Sequence, residues 1–334
     1  MAMSLPAESL DPGTYRPHAL HHEQRTWAES NCYVDLWIEV LHSLGLDPHP
    51  CLPFTLSTDF EGDQWTFFKP PLDDLRQLYG IEVQELSIWR SLTEQVAEQV
   101  ARGRLVLPEV DAFYLPDTQG TDYRRQHSKT TIAIREIDLA GRHLGYFHNG
   151  GYFHLGGADF VGLFRLAESA EAAPLPPYVE MAKLDTLQRR SEPELLRLTI
   201  ELTSAHLLRL PQPNPLLRFR DRFSEHLQWL LTGAASFHPY AFATLRQLGA
   251  SCELAASLVQ WLSEHGETGL SPAYAEYTAM AAAAKALLLK TARAANNKRP
   301  VDAAPLLTAM AASWTTATRC LLARYGSPGA IRTH

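Results

Sequence analysis

Three prolines within Ala172–Pro177 mark the point at which the hydrophobic period of this chain changes. Before them, apolar residues recur both at alternate positions and at three- and four-residue spacing. After them, only the helical spacing is read. The first half therefore needs a sheet with helices packed on it, and the second needs helices packed on helices. A chain of 334 residues is long enough for two such cores. The expectation is an α+β domain with an antiparallel sheet over roughly residues 20–170, then an all-α domain over roughly 178–326.

Within the first half, Val34, Trp37, Val40, Leu41 and Leu44 describe one helical face, closed by Gly45. Ser30 and Asn31 are both good N-caps, which puts Cys32 in the first helical turn. Phe54–Phe68 reads as a hairpin turning near Glu61-Gly62-Asp63. Helices are expected over Leu72–Tyr79 and Ser91–Ala101, followed by Gly80 and Gly103, with a strand over Ile81–Ile88 between them. Leu105–Leu107 and Val110–Leu115 suit a buried strand. Ser128–Ile137 and Arg142–His148 form a hairpin about the turn at Asp138–Gly141. Gly150, Gly151, Gly156 and Gly157 read as a glycine-rich loop; no GK[ST] follows to make it a phosphate loop. Beyond Pro177, helical periodicity covers Leu195–Leu208, Phe219–Leu231, Pro239–Gln247, Cys252–His265, Pro272–Ala295 and Ala303–Arg324.

The net charge of −7 argues against a nucleic-acid partner, which needs a basic face. The polar, proline-containing N-terminus lacks the apolar run of a signal peptide, and no stretch suits a membrane span, so a cytoplasmic protein without a membrane partner is expected. Four cysteines without CxxC pairing suggest no disulfide framework. His21-His22 has no partners at metal-ligand spacing, and no metal is expected.

The informative constellation is Cys32, His127 and the pair His148-Asn149. Unpaired N–H groups at a helix start favour a thiolate. A nucleophilic thiolate needs an imidazole within reach and a third group to orient the ring. His127 starts a strand, and His148-Asn149 ends the next, so a tight hairpin brings them together. Helix-borne Cys, strand-borne His, then a polar residue on the following strand is the chain order of papain-like enzymes. The Cys32 N–H would give one oxyanion donor, with Gln24 or Asn31 a second. Taken singly, each residue also has a plain reading: Cys32 as a small buried hydrophobe, His127 as a polar strand boundary.

The run Val110-Asp111-Ala112-Phe113-Tyr114-Leu115-Pro116, a polar loop and then His127 resemble the butirosin-biosynthesis acyltransferase family over about residues 27–160. That family is papain-like and related to bacteriocin-processing cysteine peptidases. Over most of its length the chain also resembles an uncharacterised bacterial family associated with amino-acid:carrier-protein ligases. Glu29-Ser30-Asn31-Cys32-Tyr33, Asp117–Arg124 and His127–Ile132 carry this second likeness. The resemblance implies a papain-like domain and a cysteine-dependent acyl- or aminoacyltransferase with Cys32 as nucleophile and His127 as base. The donor would be a carrier-protein thioester bearing phosphopantetheine, with no cofactor bound to the chain itself. The acceptor would be an amine on a small molecule or protein.

In the acyltransferase pattern the second hairpin strand ends in an Asp that orients the His. Here Tyr146-Phe147-His148-Asn149 stands there, which leaves Asn149, His148 or neither for the third role. Asp111 would fix the loop before His127. Carrier proteins are acidic, so Arg124, Arg125 and Lys129 are the expected docking cations, unless they form a solvated loop face. Two alternatives stay open: a cysteine peptidase or amidase with water as acceptor, and a papain-like binding module without catalysis.

Overall fold

The computed structural model describes residues 10–166, 175–233 and 237–326. The chain is mixed α/β with an antiparallel sheet, followed by a helical region, and it divides into two compact units. The first comprises residues up to His22, Asn31–Pro48 and Leu75–Arg189; the second comprises Glu23–Ser30, His49–Asp74 and the residues from Arg190 onward. The expected end of the first domain at residue 170, and part of Ala172–Pro177, lie outside the described residues.

Helix α1 spans Cys32–Ser43. Asn31 caps it by accepting the Val34 N–H at 3.0 Å, and Gly45 ends it at φ +67°. Helices α2 (Leu72–Tyr79) and α3 (Leu92–Ala101) follow, with strand β1 (Glu82–Glu85) between them. Next come β2 (Leu105–Asp111), β3 (Lys129–Thr131), β4 (Ala133–Asp138), β5 (His143–His148), β6 (Gly151–Gly156), α4 (Ala158–Leu163) and β7 (Val179–Lys183). The strands form one antiparallel sheet in the order β1-β7-β2-β4-β5-β6, with β3 pairing β2 beyond β4.

Alternation along the strands sorts residues to two faces. One face carries Val106, Val110, Ile134, Leu144 and Tyr146, covered by Val96 of α3 and by Phe160 and Leu163 of α4. The other carries Leu107 and its register partner Glu180. Helix α1 lies on this second face: Tyr33 Oη donates to Glu180 Oε2 at 2.5 Å. The N-terminal arm closes over the same face, with Tyr15 edge-on to Phe147 and its hydroxyl 2.6 Å from Glu39 of α1.

Three expectations are corrected here. The glycine-rich stretch is not a loop: only Asn149-Gly150 turns, and Gly151–Gly156 is β6, in register from His148↔Gly151 to His143↔Gly156. Asn149 at φ +44° begins this two-residue turn, the placement that Asn-Gly favours. Strand pattern also continues past Pro177, because β7 fills the sheet between β1 and β2. Its inward Glu180 is polar, which hides its alternation. The expected hairpin at 54–68 shrinks to one bridge, Phe60↔Trp65, after a 3-10 run over His49–Ser57.

In the second unit, α5 (Glu192–Leu207), α6 (Pro215–Thr232), α7 (Phe237–Tyr240), a π-helical turn (Ala241–Arg246), α8 (Gln247–Glu264), α9 (Ser271–Asn297) and α10 (Ala304–Tyr325) follow the helical periods of the sequence. Phe219 packs against Phe60 and Trp65 at ring separations of 5.2 and 5.6 Å. Trp27 seals against α8 where Gly249 leaves room: a Cβ there would sit 2.2 Å from the indole. No helix among the described residues is long and apolar enough to cross a membrane.

Candidate active site

Strand β2 ends at Asp111, whose side chain turns the chain by accepting the Phe113 N–H at 3.0 Å. The other carboxylate oxygen stands 2.5 Å from His127 Nδ1. The loop between them is a pair of 3-10 turns, Ala112–Tyr114 and Pro116–Thr118, which Thr118 ties down by donating to the carbonyls of Ala112 and Leu115. The His127 ring stacks on Phe113 at 4.4 Å and 16°. Arg124 covers the rings of Phe113, Tyr114 and Tyr123 at 5.4–5.5 Å and pairs with Asp159 of α4. The imidazole is thus held by a carboxylate at one nitrogen and by a ring at its face. With Asp111 taking Nδ1, Nε2 is left for proton transfer.

A cleft of about 720 Å³ opens beside this pair. Asp111 and His127 line it with Ile88, Leu92, Leu163 and Phe164 as apolar wall, and Trp89, Arg90, Arg165 and Leu175 are among its other lining residues. Its size suits a small molecule.

Cys32 is the first residue of α1 and is half-buried. It is not among the cleft's lining residues. Among the described residues its thiol makes no hydrogen bond to the His127 ring. Helix α1 lies on the sheet face of Leu107 and Glu180, through the Tyr33–Glu180 contact, whereas Leu163 of the cleft wall covers the other face. Asn31 is buried as the α1 N-cap, and Gln24 is exposed in a segment of the other unit.

The structure does not bring His148-Asn149 to His127. His148 faces the opposite side of the sheet, where Nδ1 meets Asp117 at 2.5 Å and Nε2 meets Thr130 at 2.8 Å. Tyr146 donates to the same Asp117 at 2.5 Å. Burial and the Asp117 charge push the Tyr146 hydroxyl far above its ordinary range. Asn149 is in the β5–β6 turn. The expected docking cations are all engaged locally: Arg124 with Asp159, Arg125 with the Gly120 carbonyl at 2.9 Å, and Lys129 with Glu109 at 2.6 Å.

Sequence reasoning gave Asp111 a loop-fixing role and did not single out Asp117, Phe113, Trp89, Arg90 or Arg165. Asp111 was the legible one, since it precedes a Leu-Pro step; its sixteen-residue spacing to His127 is set by the two turns between. Asp117 sits in a polar loop and carries no pattern that points to a buried histidine.

A second imidazole is engaged on α1. His21 is buried between Asp35, at 3.3 Å, and Glu39. Burial alone would lower its pKa, but hydrogen bonds and charge from the two carboxylates outweigh this and raise it to about 9. Burial likewise opposes ionisation of Glu39, yet His21 and the Tyr15 hydroxyl hold its carboxyl below the usual range. His22 is exposed.

No curated protein matches this chain. Two family models do: the DUF1839 N-terminal domain over residues 16–184 and the DUF1839 C-terminal domain over residues 192–323. Their junction falls after β7, where the sheet is complete, rather than at the prolines before it. The chain belongs to the DUF1839 family.

Proposed function

We propose that the first unit is a papain-like acyl-transfer module with Cys32 as nucleophile, His127 as base and Asp111, rather than Asn149 or His148, as the orienting group. The observation that carries this reading is the 2.5 Å contact of Asp111 with His127 Nδ1. A carboxylate there fixes the tautomer and stabilises the imidazolium that forms in the reaction. Supporting it, Tyr33, next to Cys32 at the α1 start, reaches Glu180 of β7, the strand beside β2.

In the reaction, His127 Nε2 takes the Cys32 proton and the thiolate attacks a thioester carbonyl. The donor thiolate leaves and is protonated by the imidazolium, giving an acyl-Cys32 thioester. An amine then attacks that carbonyl, loses its proton to His127, and Cys32 leaves as thiolate. The resemblance implies a phosphopantetheine thioester on a carrier protein as donor, from which exchange onto Cys32 is nearly balanced in energy, and the product is an amide. Apo enzymes commonly hold thiol and imidazole loosely and tighten them on substrate.

The test is intact-mass measurement after incubation with an aminoacyl carrier protein. Wild type should gain one acyl mass and Cys32→Ala none. An adduct that persists in Cys32→Ala places the acyl group elsewhere and ends the assignment. Hydrolysis without amide formation would make the module a peptidase or amidase. One observation favours the non-catalytic binding module instead: the cleft beside His127 is lined without Cys32. Absence of any adduct together with retained ligand binding would select it.

A further inference from the structure

The cleft beside His127 also carries chemistry that acyl transfer at Cys32 does not use. Trp89 and Leu175 both line it, and at 79% and 89% exposure they are the two most exposed large apolar side chains among the described residues. Exposed apolar surface gathered in one concave place marks a binding site rather than ordinary surface. The cations of the lining outnumber its carboxylates: Arg90, Arg165 and Lys129 stand against Glu109 and Asp111. Both carboxylates are already engaged, Glu109 by Lys129 and Asp111 by His127. Arg90 and Arg165 are exposed and make no ion pair among the described residues; Arg90 instead lies over the Trp89 ring at 5.4 Å. A local positive surplus in a chain of net charge −7 is selective for an anion.

We infer that this cleft binds an amphipathic organic anion, with an apolar chain or ring against Ile88, Leu92 and Leu163 and an oxyanion head held by Arg90 and Arg165. A guanidinium fork serves carboxylate and phosphate alike. The Trp89 ring, beneath the Arg90 guanidinium, offers a flat apolar wall beside the head group. This site does not depend on Cys32 being reactive, so it stands or falls separately from acyl transfer.

The experiment is calorimetric titration of the full chain with octanoate, octyl phosphate, octan-1-ol and octyltrimethylammonium, below their aggregation concentrations. Both anions should bind, and both should weaken as salt rises. The alcohol should bind more weakly, and the ammonium weakest. The Arg90→Gln/Arg165→Gln double variant should lose at least about tenfold in octanoate affinity, the size expected for charged hydrogen bonds, and keep its affinity for the alcohol. Trp89→Ala should weaken all four. Cys32→Ala should bind octanoate as wild type does. A preference of octyl phosphate over octanoate would assign the head as phosphate, and the reverse as carboxylate; either supports the site. Equal affinity for anion and ammonium, or an unchanged double variant, overturns it. So does a dimer that Trp89→Asp dissociates and no anion displaces, because the apolar mouth would then be covered by a second copy.

Discussion

Asp111 and His127, sixteen residues apart in sequence, meet at 2.5 Å because two 3-10 turns fold the intervening loop back on the end of β2. The contact is at the protein surface, with the His127 side chain 69% exposed. An exposed pair of this kind adds at most about 1 kcal/mol to stability. The proposed acyl transfer gives it a chemical role instead, and the two roles separate experimentally. Asp111→Asn should leave the thermal midpoint within a few degrees of wild type while lowering acyl transfer by up to roughly ten-thousandfold, as loss of an orienting carboxylate can. Parallel melting curves and single-turnover assays check this. A large loss of stability with little loss of rate would make Asp111 a loop anchor.

The Asp117 cluster should behave in the opposite way. His148 and Asp117 are buried, at 2% and 3% side-chain exposure, and Tyr146 shares the same carboxylate. Asp117→Ala strips partners from two buried polar groups at once and should cost about 3 kcal/mol or more. Urea titration should show the loss. His148→Phe, which removes a polar group together with its need, should cost less when combined with Asp117→Ala than either change predicts alone.

Stability should also fall with pH through a single buried imidazole. The folded-state pKa of His21 is raised to about 9, above an unfolded value near 6.5. The protonated form is thus favoured by folding: its contribution is complete below about pH 6.5 and is lost as pH rises towards 9. The span corresponds to about 3 kcal/mol as an order of magnitude. Urea midpoints measured from pH 6 to 9.5 should decline in wild type and stay flatter in His21→Gln. The arm around His21 should become cleavable by protease over the same range, since Tyr15, His18 and His21 all converge on Glu39.

Much of this architecture could be read in the sequence wherever local chemistry and period agreed. Helix α1 between Asn31 and Gly45, α3 before Gly103 and the β4–β5 hairpin about Asp138–Gly141 are all local in this sense. The misses are non-local. Strand β7 is five residues long with Glu180 buried at its second position, and the hydroxyls of Tyr33, brought from α1, and of Tyr178 make that burial tolerable. Strand β6 begins and ends in glycine because the Phe153 ring and the Arg142 carbonyl crowd those two positions, so composition mimics a loop. At the site, His127 was legible as a strand-boundary imidazole, but its partner was sought on the following strand. Strand alternation sends His148 to the far face, and the carboxylate that meets His127 comes from β2 instead.

The four cysteines should divide by burial under native conditions. Burial pushes the Cys252 thiol up to about 12, and burial with the nearby Asp74 charge pushes Cys51 well above its usual value. Neither should react with iodoacetamide until the chain is denatured. Labelling of the folded protein should be confined to Cys32 and Cys320, which are half-buried. Peptide mapping after brief alkylation distinguishes the four.

The central claim, that His127 activates the Cys32 thiol, is tested most directly by the rate of Cys32 alkylation between pH 5 and 9 in wild type and in His127→Ala. Wild type should alkylate at Cys32 at least about tenfold faster than the variant at pH 6 to 7, with the gap closing at high pH where any thiol ionises unaided. Superimposable profiles for the two proteins would mean that the thiol and the imidazole do not act together, and would contradict the account.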